Sequence, residues 1–205
     1  MRRLGPKCRL CRMEGEKLFL RGERCESQKC AVLRRGSPPG MHGKKRKKMT
    51  EYGRQMRAKQ KLKKIYGISE AQLLIYFKKA GRSVGATDQT LLKLLEMRVD
   101  NFLYRSGLAD SLSQARQWIG HGLFKLNGRS ITIPSIQVKG GSTLELKAKH
   151  GDKMIFLKKR DLKLSAPVWM ETNPKEIKIT CLREPELKEL ETTLDLQLVV
   201  EYYSR

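Results

Sequence analysis

Positive charge is concentrated in the first third of this 205-residue chain. Residues 1–64 contain 22 of the 44 lysines and arginines but only five acidic residues, whereas residues 174–205 contain five bases and seven acids. The formal net charge of the whole chain is +23. Such a chain repels itself unless a polyanion neutralises it, and the commonest intracellular polyanion is nucleic acid. The pattern therefore predicts nucleic-acid contact through residues 1–64 and argues against an ordinary metabolic enzyme.

The composition outside these charges is that of a folded protein. Hydrophobic residues make up 39% of the chain and there are 17 glycines, which is within the range of globular proteins. No apolar run approaches the roughly 18 residues that a transmembrane helix needs. The first residues contain no apolar segment of a secretory signal. We therefore expect an intracellular protein in the cytoplasm that has no membrane partner.

Four cysteines in the N-terminal region have the spacing of a metal site. Cys8 and Cys11 form a C-x2-C pair, Cys25 and Cys30 form a C-x4-C pair, and 13 residues separate the two pairs. This spacing predicts one structural Zn²⁺ held by the four thiolates, with no open position for catalysis. Residues 1–43 are too polar to fold alone, and zinc binding would supply the missing stability.

Other interpretations of the cysteines stay open at this point. The four thiols could be free in a loop that folds only on RNA, and the spacing alone does not distinguish zinc from an iron–sulfur cluster. His42 could replace a ligand, although its Pro-Pro-Gly-Met-His-Gly context indicates a turn. Cys181 stands alone near Ile179 and is expected to be a core residue.

Helix signals begin near Thr50. They predict a strongly basic helix over 55–65 and a helix that begins with a capping box at Ser69 and ends at Gly81. Further helices are expected over 87–95, over 99–105, and after a second capping box at Ser111. Asp100 is expected to form a helix N-terminal or internal ion pair rather than to act as a catalytic acid.

Strand signals follow these helices. Asn127-Gly128 stands between two alternating runs, 124–126 and 130–133, and is a strong hairpin signal. Two more strand-like segments are predicted over 136–138 and 143–146. Residues 98–147 therefore form a compact helix–helix–hairpin unit whose polar face suits phosphate contacts and RNA shape.

These motifs resemble those of a known family. Arg98-Val-Asp-Asn-Phe-Leu-Tyr-Arg105, the run 113–122 and the run 126–135 are similar to the RNA-binding module named after small-subunit ribosomal protein four. Pseudouridine synthases, a heat-shock protein and a tRNA synthetase share that module. The four cysteines, residues 35–43 and residues 52–70 resemble the bacterial or organellar ribosomal protein family itself, in its zinc-binding branch. Many family members lack the cysteines, so the metal rests on spacing.

The resemblance implies an α+β fold with an inserted module. A four-cysteine zinc arm would span residues 1–43, a mainly helical domain residues 44–90 with 163–205, and the RNA-binding module residues 91–162. The apolar C-terminal tail would then pack against the preceding helices.

The resemblance also implies a function. The chain would be a structural, non-catalytic component of the small ribosomal subunit that binds small-subunit rRNA directly at a multi-helix junction of the five-prime domain. It would nucleate assembly of the subunit body, lie beside small-subunit protein five and influence translational accuracy with it. We expect no homo-oligomer, and a cytoplasmic or an organellar ribosome both fit.

Basic residues of the arm, the basic helix and the module are the predicted RNA contacts: Arg2, Arg3, Lys7, Arg9, Arg12, Arg34, Arg35, His42, Lys44, Lys45, Arg46, Lys47, Lys48, Arg54, Arg57, Lys59, Lys61, Lys63, Lys64, Arg98, Arg105, Arg116, His121, Lys125 and Arg129.

Two alternatives belong to other functional classes. An RNA-modifying enzyme of pseudouridine-synthase type would use the same module but would need a catalytic domain, and no constellation of catalytic residues is evident. A DNA-binding zinc protein would need a recognition helix, and residues 1–43 lack its apolar periodicity. Whether the chain represses its own mRNA is left open.

Overall fold

The computed structural model describes residues 5–43, 48–147, 166–173, 176–186, 189–190 and 194–204. They belong to two compact units, Met1–Leu91 with Thr192–Arg205 and Leu92–Glu191. The helices are α1 (Lys7–Glu14), α2 (Glu23–Glu26), α3 (Ala31–Arg34), α4 (Glu51–Tyr66), α5 (Glu70–Ala80), α6 (Thr87–Glu96), α7 (Val99–Arg105), α8 (Leu112–Gly120) and α9 (Leu196–Ser204). The strands are β1 (Phe124–Leu126), β2 (Arg129–Ser130), β3 (Thr143–Leu146), β4 (Met170–Asn173) and β5 (Lys178–Cys181).

The first unit is helical, and local sequence signals set its helix ends. The side chains of Thr50 and Ser69 accept hydrogen bonds from the backbone N–H groups of Gly53 and Gln72, which caps α4 and α5. Gly67 ends α4 in the left-handed conformation at φ 55°. These observations confirm a side-chain N-cap at Ser69 and the helix after it.

The C-terminal helix α9 packs on α4, as the apolar tail predicts. Leu196 and Val199 are buried on its inner face, and Gln55 Nε2 donates a hydrogen bond to Glu201 Oε2 at 3.0 Å. The aromatic ring of Tyr203 lies 4.9 Å from that of Phe77 in α5. The first and last parts of the chain therefore share one core.

The second unit packs two helices against an antiparallel sheet. Its described strands lie in the order β2-β1-β3-β5-β4. The β1–β2 hairpin turns at Asn127 and Gly128, both with positive φ (49° and 77°), as the Asn-Gly signal predicts. The sheet's inner face and the two helices form one apolar core, which includes Phe102, Ile119, Phe124, Leu144, Trp169, Ile179 and Cys181. Cys181 is thus a core residue, as expected.

The second unit extends further along the chain than the resemblance implies. Residues 163–205 were assigned to the helical domain, but β4 and β5 pair with each other, β5 also pairs with β3, and only Thr192–Arg205 belongs to the first unit. The physical reason is the alternation in β5, which turns Ile179 and Cys181 into the core.

One predicted strand is not a strand of the sheet. Residues 136–138 form only an isolated bridge, between Gln137 and Arg98. The backbone N–H of Val138 donates to the carbonyl of Met97 at 2.8 Å, so this segment pairs with the chain entering α7. The predicted run 130–133 is likewise shortened, since β2 ends at Ser130.

Candidate RNA-binding surface and cysteine pocket

The structure divides the predicted RNA contacts into exposed cations and cations that bind other parts of the chain. The exposed group takes part in no ion pair within the described residues. In the first unit this group comprises Arg9, Arg34, Arg35, His42 and Lys48, and in the second unit His121, Lys125 and Arg129. The second-unit members lie at the end of α8 and on the β1–β2 hairpin. The lysines and arginines of this group carry unopposed charges and the two histidines offer exposed imidazole N–H donors, so these side chains are the ones best placed to bind phosphate.

The cations of α4 are all paired with carboxylates. Six lysines and arginines share four acids, one of which is Glu51 of α4 itself, so the net charge of the helix falls from +5 to +2 when its three partners Glu14, Glu16 and Glu70 are included. The pairs are Arg54–Glu51 (3.5 Å), Arg57–Glu14 (3.5 Å), Lys59–Glu70 (2.9 Å), Lys61–Glu16 (2.7 Å), Lys63–Glu70 (2.9 Å) and Lys64–Glu14. The sequence predicts a broad cationic face here, and the structure shows that much of its charge is neutralised internally.

Lys59 corrects that expectation most clearly, because it is only 5% exposed. Its Nζ lies 4.0 Å from the ring centroid of Tyr202, a cation–π contact, and 2.9 Å from Glu70 Oε1. Burial opposes the charge of Lys59, but the hydrogen bond to Glu70 raises its pKa overall. This ammonium group stabilises the junction of α4, α5 and α9.

Glu70 is the acidic centre of the same junction. Burial acts to raise the pKa of its carboxyl, but hydrogen bonds from Lys63, Tyr203 and Lys59 outweigh burial and lower the pKa to about 2. Tyr203 Oη donates to Glu70 Oε1 at 2.7 Å, and burial together with this bond raises the pKa of Tyr203. Glu70 is therefore ionised at neutral pH and holds α9 in place.

A buried ion network replaces part of the expected basic surface of the second unit. Asp100 is fully buried and accepts hydrogen bonds from Arg98 (3.0 Å to each oxygen) and from Arg116 Nε (2.6 Å). Arg98, only 3% exposed, lies inside the unit and not on its surface, which corrects its predicted placement. The expectation that Asp100 forms an internal ion pair is confirmed.

A second buried carboxylate lies nearby in sequence. Glu96 is fully buried and binds Arg105 through Nε (3.0 Å) and Nη2 (2.8 Å), and it also accepts a hydrogen bond from Asn101. Arg105 and Arg116 are partly exposed, at 33% and 17% of their side chains. Each guanidinium is therefore held on its inner side by a buried carboxylate, which limits the rotamers of the arginine.

The remaining predicted contacts fall into two groups. Lys7 Nζ and Arg12 Nε each donate to a backbone carbonyl, of Leu20 and Ser37 respectively, both at 3.1 Å. Six further predicted contacts lie outside the described residues: Arg2, Arg3, Lys44, Lys45, Arg46 and Lys47.

The four N-terminal cysteines line one pocket, together with Arg21. Cys8 and Cys11 lie on α1, Cys25 on α2, and Cys30 directly before α3. All four thiols are free, and all but Cys8 are buried. Burial raises the pKa of Cys11.

The surroundings of the sulfurs are those that metal thiolates use. The backbone N–H of Arg21 donates to Cys25 Sγ at 3.4 Å, and Arg21 Nη1 approaches Cys8 Sγ at 3.9 Å. The donor set and its N–H partners thus fit, in chemistry, a tetrahedral ion held by four thiolates. In the part of the chain that the structure describes, however, no three or more His, Cys, Asp or Glu side chains stand in an arrangement that could hold a metal ion.

Comparison with known proteins assigns residues 2–144 of the chain to two family models. A family model described as the ribosomal protein S4/S9 N-terminal domain matches residues 2–96, and the S4 domain model matches residues 97–144. The similar proteins include relatives that carry the name small ribosomal subunit protein uS4. Those of Heliobacterium modesticaldum and Geotalea uraniireducens are 45% and 46% identical over 98% of each chain. That of Trichlorobacter lovleyi is 45% identical over 100% of this chain and 99% of its own.

The chain belongs to the ribosomal protein uS4 family. Members of this family are structural proteins without enzymatic activity, so the RNA-modifying-enzyme alternative has no support. The second unit contains the family's S4 RNA-binding domain, which accounts for its two helices and hairpin. No helix among the described residues is both long enough and apolar enough to cross a membrane.

Sequence reasoning missed the acids that organise this surface. Glu14, Glu16 and Glu70 bind the α4 cations from 7 to 50 positions away in sequence. No periodic signal reveals a pair of that separation. The available signal was compositional, because residues 1–64 contain only five acids. Three of these, Glu14, Glu16 and Glu51, pair with cations of α4.

Proposed function

We propose that this chain is a structural component of the small ribosomal subunit that binds small-subunit rRNA directly, early in assembly, and nucleates the subunit body. The observation that carries the proposal is the 45% identity to small ribosomal subunit proteins uS4 over essentially the whole chain. The ribosome is then its location, and the bacterial relatives favour a cytoplasmic one.

The exposed cations give the proposal a physical mechanism. Four lysines and arginines in the first unit and two in the second are exposed and take part in no ion pair within the described residues, so each can neutralise an RNA phosphate and release a counterion. Arg105 and Arg116, held by buried carboxylates, offer the second unit fixed guanidinium groups that suit the shape of folded RNA. Recognition would depend on phosphate geometry more than on base edges.

A competition experiment tests this function. The full chain is bound to a five-prime-domain fragment of small-subunit rRNA. The complex is then challenged with a molar excess of duplex DNA, each molecule of which contains as many phosphates as the rRNA fragment. The proposal predicts that the rRNA complex survives, because the arrangement of cations matches a folded RNA. Equal displacement by DNA, or no binding to the fragment, would contradict it.

The proposal includes small-subunit protein five as a neighbour that acts with this chain on decoding accuracy. Its support is the family alone. Protein five is expected to bind the complex of this chain with the five-prime-domain rRNA fragment more tightly than the fragment alone, and equal binding would count against the contact.

The proposal also includes one structural zinc ion at Cys8, Cys11, Cys25 and Cys30. The shared pocket and the N–H groups directed at sulfur support it. When bound, zinc would hold α1, α2 and α3 together, which is chemistry of stability and not of catalysis.

Metal content measured on purified variants tests the zinc site. Cys8→Ala and Cys30→Ala are each expected to lose the metal, whereas Cys181→Ala, which changes a buried thiol in the other unit, is expected to retain one zinc per chain. Equal zinc content in all three variants would refute the assignment of zinc to the four cysteines. If the chain instead contains iron with acid-labile sulfide, the bound group is an iron–sulfur cluster.

A further inference from the structure

Glu14 is an acidic side chain buried in the most basic part of the chain. It is the last residue of α1, and Gly15 follows it in the left-handed conformation at φ 78°. Its side chain is only 6% exposed. A buried carboxylate costs free energy unless it is paired, so this position needs an explanation.

Among the described residues, the ion-pair partners of Glu14 lie on α4. Lys64 Nζ makes a close ion pair with Glu14 Oε1, and Arg57 Nη1 lies 3.5 Å from the same oxygen. Two residues later, Glu16 Oε1 lies 2.7 Å from Lys61 Nζ. The C-terminal end of α1 is therefore fixed on the basic side of α4 by carboxylates.

This contact orients the exposed cations of the arm. Arg9 precedes Glu14 by five residues, which is about 140° around an α-helix, so it lies on the side of α1 away from α4. Helix α3, which carries Arg34, packs against α1, and Arg12 Nε donates to the carbonyl of Ser37 beyond it. Helix α3 and Ser37 are thus held against α1. The position of α1 therefore sets where Arg9, Arg34 and Arg35 lie.

We propose that Glu14 is a positioning residue for rRNA binding, which fixes the cysteine-containing arm on α4 so that the exposed arginines of the arm meet phosphates together. This inference rests on the proposed rRNA-binding function. It has an unusual consequence, since removing a negative charge from an RNA-binding protein ordinarily strengthens RNA binding. At Glu14 the same change weakens it.

The test compares Glu14→Gln with Glu26→Gln in the full chain. Both changes remove one negative charge from the arm, but Glu26 is exposed and takes part in no ion pair within the described residues. Affinity for the five-prime-domain rRNA fragment is measured over a series of salt concentrations. We expect Glu14→Gln to bind about tenfold more weakly, and Glu26→Gln as tightly as wild type or slightly more tightly. We also expect Glu14→Gln to lower the salt slope, which is the change in the logarithm of affinity with the logarithm of salt concentration, although the variant removes no cation.

Hydrogen exchange identifies the cause of the loss. In Glu14→Gln the amides of α1 are expected to exchange faster while those of α5 and α9 keep their protection. If Glu14→Gln loses amide protection throughout the first unit, Glu14→Asp replaces it in the comparison, because aspartate keeps the net charge. The affinity of Glu14→Asp for the rRNA fragment is expected to fall while the amides of α5 and α9 stay protected from exchange. A double-mutant cycle with Lys64→Gln should show non-additive losses of affinity.

Two failures can be told apart. If wild type does not bind the rRNA fragment, the proposed function is wrong. If wild type binds but Glu14→Gln binds as tightly as Glu26→Gln with an unchanged salt slope, the function stands and the positioning role is overturned. Additive losses in the cycle with Lys64 would overturn it equally.

Discussion

At the scale of single residues, the buried carboxylate of Asp100 fixes three neighbouring residues of the second unit. It accepts hydrogen bonds from Arg98, Arg116 and the backbone N–H of Asn101. Arg98 could not be placed correctly from sequence, because an arginine directly before a helix usually faces solvent. The burial of Arg98 depends on the carboxylate of Asp100, and tertiary packing determines that Asp100 is itself buried.

Asp100→Asn is expected to destabilise the second unit by about 3–5 kcal/mol, since it removes the carboxylate charge that pairs with the buried Arg98 guanidinium. Both tryptophans of the chain, Trp118 and Trp169, belong to this unit, so tryptophan fluorescence in a urea titration reports its unfolding. Glu171→Gln removes an exposed carboxylate on β4 and is expected to change stability by less than about 0.5 kcal/mol. Equal urea midpoints for the two variants would contradict the role of Asp100.

At the scale of secondary-structure elements, local signals determined the helices and long-range pairs determined their arrangement. The caps at Ser69 and Ser111 and the Asn127-Gly128 turn follow from residues within four positions, and each was predictable. Strands β4 and β5 were not predicted, because no turn signal of the Asn127-Gly128 kind marks the segment between them. The neutralisation of α4 by distant acids was likewise beyond any local pattern.

Acid should loosen α9 through Glu70. Its pKa is lowered from 4.5 to about 2, so its contribution to stability is complete above pH 4.5 and is lost as pH falls towards 2. Because the side chain is 46% exposed, solvent screening reduces that contribution to about 1 kcal/mol. Hydrogen exchange of α9 amides should accelerate over this pH range in wild type and less steeply in Glu70→Gln. Identical pH profiles would exclude Glu70 as the anchor.

At the scale of the whole molecule, a net charge of +23 is divided between internal ion pairs and exposed cations. The family and the general role of the chain were predictable from sequence, because its motifs extend over almost the whole length. Which cations remain available to RNA was not, because that depends on the distant acids.

Neutralising one exposed cation should therefore differ from neutralising a paired one. Arg129→Gln is expected to weaken rRNA binding and to reduce the salt slope by about one, as for a lost phosphate contact. Lys178→Gln removes a lysine of the same unit that is paired with Glu145 at 2.9 Å, and its effect should be smaller. Equal effects on the slope would show that pairing in the free protein does not determine which cations bind RNA.

The salt dependence of wild-type binding to the rRNA fragment tests the central claim most directly. If the exposed cations make about six to ten phosphate contacts, affinity should fall by about 10³ to 10⁵ between about 50 and 200 mM salt. A steep linear decline of the logarithm of affinity with the logarithm of salt concentration is the predicted result. A flat profile would contradict the claim that exposed basic side chains bind this chain to RNA.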